Sequence, residues 1–258
     1  MNRVIEPRTS KVPEVTPAFW IIKIAATTLG ETGGDALSMT MQLGYAISTA
    51  IFFGLFIVTV AAQVRAKSFH PFLYWSVIVA TTTAGTTMAD YADRSLGIGY
   101  IGGSLPLFAL LLLVLGSWRV ATGSISVANI TSPKAEVFYW TAILFSNTLG
   151  TALGDFLADD SGLGYEGGAL VFAGALAVVA AAYFTMNISH TLLFWLAFIL
   201  TRPLGATLGD LLTKPQANGG LDLSRISSSS LIAIFMIGFI LLTSKRAGSH
   251  PGQRQPGG

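Results

Sequence analysis

"YWTAILFSNTLGTALGDFLA", residues 139–158, is a run of apolar and small residues of membrane length that carries one carboxylate, Asp155, towards its end. An ionised carboxylate at the centre of a bilayer costs about 3 kcal/mol on insertion scales, so its place there needs a physical reason. Three other segments align with this one without gaps: "FWIIKIAATTLGETGGDALS" from Phe19, "YWSVIVATTTAGTTMADYAD" from Tyr74 and "FWLAFILTRPLGATLGDLLT" from Phe194. Each opens with an aromatic residue followed by tryptophan (Trp20, Trp75, Trp140, Trp195). Each then sets a glycine ten residues on (Gly30, Gly85, Gly150, Gly205) and an aspartate five beyond that (Asp35, Asp90, Asp155, Asp210). Agreement at these columns in four places marks an internal repeat. A weaker echo follows each copy: "LGY" at Leu43, "IGY" at Ile98, "LGY" at Leu163 and a degenerate "GGLDL" at Gly219.

The chain of 258 residues is 52% hydrophobic and 11% charged, too apolar to cover itself with a water-compatible surface. Eight runs reach the roughly 20 apolar residues that a helix needs to cross a bilayer. They lie at about 16–37, 43–64, 72–92, 98–118, 136–157, 164–186, 190–212 and 228–244. Continuous runs rich in Leu, Ala, Ile and Gly suit helices, not the short alternating strands of a barrel. The expected fold is all-α and polytopic, with eight transmembrane helices built from four two-helix repeats. A tail at 1–15 leads into a first membrane half at 16–121, a linker at 122–135 joins it to a second half at 136–244, and a tail at 245–258 follows. The polar start, Met1–Pro17, lacks the apolar core and small-residue cleavage site of a secretory signal.

Basic residues gather on one side of this topology: Arg3, Arg8 and Lys11 before the first span, Arg65 and Lys67 after the second, Arg119 and Lys134 after the fourth, Lys245 and Arg246 after the last. The positive-inside bias makes that side, and both termini, cytoplasmic. Each repeat holds two spans, so the four copies share one orientation, as parallel repeats do. Tryptophans mark membrane interfaces, which sets the start of each repeat near the cytoplasmic face. The aspartates then lie about 22 Å further out, at 1.5 Å per residue. Lys23, close to Trp20, is expected to snorkel to the interface.

Helical spacing puts Thr28, Glu31, Asp35 and Ser38 on one face, with Thr83, Thr86, Asp90 and Asp93 in the second copy and Thr148, Thr151 and Asp155 in the third. An adjacent stripe carries small pairs four apart, Gly30/Gly34, Gly85/Ala89, Gly150/Gly154 and Gly205/Gly209, which allow close helix packing. Asn147 adds a neutral oxygen. A membrane threonine commonly bonds its own backbone, so each hydroxyl alone is weak evidence, whereas four carboxylates together call for a watery cavity, ion pairs or a cation. The fourth copy breaks the pattern with Pro203 and Ala206 and adds Arg202 and Lys214. Arg202 reads either as an internal counter-ion or as a structural ion pair. Glu31, one turn from Asp35, is the candidate proton-exchanging residue, because two such neighbours do not readily ionise together.

The absence of cysteine excludes disulfides and thiolate chemistry, and His70, His190 and His250 fall at helix ends or in the tail, away from a zinc-like cluster. Asp, Glu, Thr and Asn oxygens make a hard site suited to Mg²⁺, Ca²⁺ or Mn²⁺, with Met39 or Met88 as a possible softer donor. The candidate metal ligands are Glu31, Asp35, Asp90, Asp155, Asp210, Thr28, Thr83, Asn147 and Thr148. The expected function is transport of a divalent cation as substrate, with no covalent cofactor, no nucleic-acid partner, the bilayer as surroundings and a homo-oligomer allowed. A cation channel with an acidic ring, an intramembrane enzyme and a scaffold are the alternatives; no nucleophile or histidine pair supports an enzyme.

With "TTLGETGGD" at Thr27 to Asp35 as its most specific stretch, the chain from about Phe19 to Thr243 resembles a family of bacterial inner-membrane proteins described as uncharacterised membrane-anchored proteins. The resemblance implies a bacterial cytoplasmic membrane and export of manganese. It carries no site residues with it.

Overall fold

A computed structural model describes residues 11–126, 130 and 132–243. Arg3, Arg8, Lys245, Arg246, His250 and the two tails lie outside the described residues, or largely so. Eight α-helices are described: α1 (Pro17–Asp35), α2 (Gly44–Arg65), α3 (Pro71–Asp90), α4 (Tyr100–Thr122), α5 (Pro133–Asp155), α6 (Gly164–Thr185), α7 (His190–Thr213) and α8 (Arg225–Thr243). All fall within a few residues of the apolar runs. Proline opens α1, α3 and α5, where its missing N–H costs nothing. Thr16 and Ser132 cap the first and third of these by accepting from the N–H groups of Phe19 and Ala135 at 3.3 and 3.2 Å. Beyond Asp35, Asp90 and Asp155 the helices widen into single π-helical turns, Ala36–Thr40, Tyr91–Ser95 and Phe156–Asp160, whereas α7 passes Asp210 unbroken to Thr213.

The odd-numbered helices form a closed ring, α1 against α3, α3 against α5, α5 against α7 and α7 against α1. The even-numbered helices lie outside it, and each packs on the inner helix of the following repeat: α2 on α3, α4 on α5, α6 on α7, and α8 back on α1. The small-residue stripe is the seam of the ring. A Cβ at Gly30 would strike Thr82, one at Gly85 would strike Asn147 and Thr148, one at Gly150 would strike Arg202 and Pro203, and one at Gly205 would strike Thr27. In every case the glycine of one copy seats the residue that stands seven after the tryptophan of the next. Gly34 and Gly209 repeat this one turn on, against Thr86 and Glu31. Such close backbone approach is what small pairs provide where burial gives no drive for helices to associate.

Five helices, α2, α4, α6, α7 and α8, are long and apolar enough to cross a membrane. The outer ones turn bare side chains outwards, with Leu105 67% and Val120 88% exposed, a surface matched to hydrocarbon. The polar content of α1, α3 and α5 is turned inwards: Lys23, Glu31, Thr82, Thr86, Asn147 and Thr151 are all buried.

Of the interface anchors, Lys23 departs from expectation. Trp75, Trp140 and Trp195 are buried and Trp20 is half-buried. They pack with Phe19, Tyr74, Tyr139 and Phe194 into an aromatic cluster in which rings meet edge-on or tilted, Tyr139 and Trp140 at 4.8 Å. Lys23 does not snorkel. It is fully buried, with Nζ 4.2 Å from the centre of the Phe198 ring, because its position on α1 faces the ring and not the lipid. Lys11 is also withdrawn from the interface: it pairs with Glu136 at 2.5 Å and donates to the carbonyls of Gln63, Val64 and Ala66, closing the end of α2.

Candidate functional site

The axis of the ring is built in layers, each from one equivalent residue of the four repeats. At the start of the repeats, Phe19, Tyr74, Tyr139 and Phe194 form an aromatic layer, with a hydrogen bond of 2.9 Å between the two tyrosine hydroxyls. Four residues on come Lys23, Ile78, Ile143 and Phe198, all with no accessible surface. The next layer is Thr27, Thr82, Asn147 and Arg202, and the one after it Glu31, Thr86, Thr151 and Ala206. Asp35, Asp90, Asp155 and Asp210 follow, all buried. Arg94, Asp159 and Lys214 carry the charges at the far end of the column.

Arg202 ties the middle layers together. From α7 its Nη2 meets Glu31 of α1 at 2.9 Å, Thr151 of α5 at 2.5 Å and the hydroxyl of Thr86 on α3, the helix across the ring. Thr86 also donates to Glu31 at 3.3 Å. A guanidinium that is fully buried and bonded to three other helices fills the axis at this level.

The aspartates divide into two pairs. On one side Lys214 Nζ lies 2.9 Å from Asp35 and 3.1 Å from Asp210, with Arg225 at 3.5 Å from Asp35. On the other side Arg94 lies 2.8 Å from Asp90, 3.8 Å from Asp155 and 3.3 Å from Asp159, which also accepts from Tyr100 at 2.9 Å. One oxygen of Asp90 has no hydrogen-bond partner among the described residues. Glu31, Asp35 and Asp210 bring carboxylate oxygens within 4.8 Å of one another.

The structure therefore brings Glu31, Asp35 and Asp210 together and holds Asp90 and Asp155 as a second group joined by Arg94. The hydroxyls of Thr28, Thr83 and Thr148 donate to carbonyls of their own helices, Ile24, Val79 and Leu144, at 2.8–3.0 Å, which holds each oxygen against its own backbone. The axial position is the preceding residue in each copy: Thr27 donates to the carbonyl of Thr201 at 3.0 Å, and Asn147 donates to Thr81 at 3.0 Å. Met39 is exposed, and Met88 packs against the apolar core. His70 and His190 meet Ser68 and Tyr183 instead of the acids. Sequence reasoning missed Arg94 and Arg225 and left Lys214 without a role, although Arg94 and Lys214 each stand four residues after an aspartate, the spacing of an ion pair on one helix face.

Neither a curated protein nor a solved structure matches the chain. One family model does, four times over, at residues 18–69, 73–124, 138–189 and 193–248, and each match takes in one inner and one outer helix. These matches cover most of the sequence and coincide with the four copies read from its glycine and aspartate columns, so the chain belongs to the family described as Repeat of Unknown Function (DUF347).

Proposed function

We propose that this protein is a membrane transporter of a divalent metal cation, which moves along the axis of the four-helix ring. The observation that carries the reading is the convergence of buried carboxylate oxygens from Glu31, Asp35 and Asp210 within 4.8 Å of one another. Oxygen ligands of this kind suit Mg²⁺, Ca²⁺ and Mn²⁺. Charge supports it. Glu31, Asp35, Asp90, Asp155, Asp159 and Asp210 outnumber the basic residues that pair with them, Arg94, Arg202, Lys214 and Arg225.

Lys214 holds the place between Asp35 and Asp210 with a compact ammonium on a flexible stem, and an arriving cation displaces it. The aromatic layer at one end and Arg202 in the middle fill the axis, which favours alternating access over the open bore of a channel. In this reading all eight helices cross a bacterial inner membrane with both termini in the cytoplasm, and the cargo is manganese, moved outwards, as the family resemblance implies. The protein is a carrier and not an enzyme, and it uses no resident cofactor.

The test is flux of Mn²⁺, Mg²⁺, Ca²⁺ and Zn²⁺ into proteoliposomes containing the purified protein. Asp35→Asn and Asp210→Asn are expected to lower flux about tenfold or more, the effect of losing about 1.4 kcal/mol of ligand interaction. Flux unchanged in both variants removes the proposed site. A wild-type protein inert to all four ions leaves the buried charges as a structural lattice and overturns the transport reading.

A further inference from the structure

Among the described residues four cations are buried: Lys11, Lys23, Arg202 and Lys214. Lys11 has Glu136, Arg202 has Glu31, and Lys214 has Asp35 and Asp210. Lys23 has neither an acid within ion-pair reach nor a hydrogen bond for its Nζ, only the face of Phe198 at 4.2 Å. It stands on the axis in a layer otherwise made of Ile78, Ile143 and Phe198, between the aromatic layer and the polar layer of Thr27, Thr82, Asn147 and Arg202. An unpaired ammonium in such surroundings costs several kcal/mol, and a plain packing position on α1 is filled at no such cost by the isoleucine that α3 and α5 use.

Resting on the transport reading above, we propose that Lys23 is the proton-exchange site of the transport cycle, on the opposite side of Arg202 from the carboxylates. The amine is uncharged while both ends of the axis are closed over it. It takes one proton from water when the axis opens at the carboxylate end, and returns the proton to water beyond the aromatic layer when that layer opens and the cation enters there. A divalent ion and an ammonium on one narrow axis repel each other, so their occupancies alternate, and each cation passage is tied to one proton moving the other way.

The groups that face Lys23 are consistent with that role. Arg202 on α7 is the nearest fixed charge and already has Glu31, while Tyr74 on α3 and Tyr139 on α5 bond to each other in the layer beneath. On α8, which packs against α1, the described ionisable residue is Arg225, at the Asp35 end. On α5, Glu136 is held by Lys11.

The test is Mn²⁺-driven pH change inside proteoliposomes, read with a trapped pH dye alongside metal flux, in wild type, Lys23→Met and Lys23→Gln. Both substitutions match the stem of lysine without its charge. Thermal unfolding in detergent is expected to show Lys23→Met at least as stable as wild type, since an unpaired amine is replaced by an apolar group. Metal-driven proton movement is expected to fall at least tenfold in both variants, with Mn²⁺ binding at the carboxylates retained. Wild-type flux with proton movement unchanged in Lys23→Met overturns the assignment of Lys23 alone. A wild type that moves no divalent ion overturns the transport reading and this inference with it. A marked fall in the melting temperature of Lys23→Met makes the lysine a structural residue and overturns the proposal.

Discussion

The inner ring and the outer shell are made by the same repeat, yet they solve opposite problems. Helices α2, α4, α6 and α8 are predominantly apolar, bare towards the outside, and all long and apolar enough to cross a membrane. Helices α1, α3 and α5 miss that standard because Lys23, Glu31, Asp35, the threonines of α3 and Asn147 lower their mean hydropathy. Only α7 meets both descriptions, with Arg202 and Asp210 in an otherwise apolar sequence. A low hydropathy here marks the helices most deeply enclosed by protein. Polar side chains are tolerated at membrane depth where other helices cover and satisfy them.

The contrast can be broken at its seam. Gly205→Leu is expected to have the largest effect, because even a Cβ at this position meets the side chain and backbone of Thr27. The cost exceeds about 3 kcal/mol, since overpacking there cannot relax without separating α7 from α1. Size-exclusion chromatography in detergent should return aggregated protein. Next in size is Arg202→Met, which leaves Glu31 buried without its guanidinium and strips Thr86 and Thr151 of a donor. Removing one partner of a buried pair costs about 3–5 kcal/mol. Adding Glu31→Gln should recover part of the lost melting temperature, and a double mutant no better than the single one would show that the pair contributes little. The smallest effect is expected on the shell. Leu105→Ala, on a face where lipid fills the space, should leave thermal unfolding within about 0.5 kcal/mol of wild type. A loss comparable to that at Arg202 would mean that this face is an interface with another protein chain.

Much of this was legible in the sequence. The glycine and aspartate columns announced the repeat, and the pairs at Gly30/Gly34 and Gly205/Gly209 announced the packing stripe, since small residues four apart have few other uses in a membrane helix. The axial face was misread by one residue. Stepping back from Asp35, both three and four residues stay on roughly the same side of a helix, and the choice of Thr28 over Thr27 followed an average period of 3.6. The ring instead uses steps of four throughout, Asp35, Glu31, Thr27 and Lys23. Such a stripe slants about the helix and keeps to one axis where helices cross at an angle, as small-residue seams favour. The ion pairs were hidden for a different reason. Lys214 and Arg225 reach Asp35 on another helix, and Arg94 reaches Asp155 and Asp159, partners brought near only by closure of the ring.

That closure fixes an order of events in biosynthesis. Glu31 and Asp35 are made early, but the side chains that neutralise them, Arg202 and Lys214, lie 171 and 179 residues further along. A chain emerging from its N-terminus must therefore hold α1 with its acids uncompensated while five more helices are synthesised. Left in lipid, those acids carry the insertion penalty of charged groups in hydrocarbon, and long-range pairings of this kind form late. Helix α1 is thus made well before α7 and reaches its final surroundings only once α7 closes the ring.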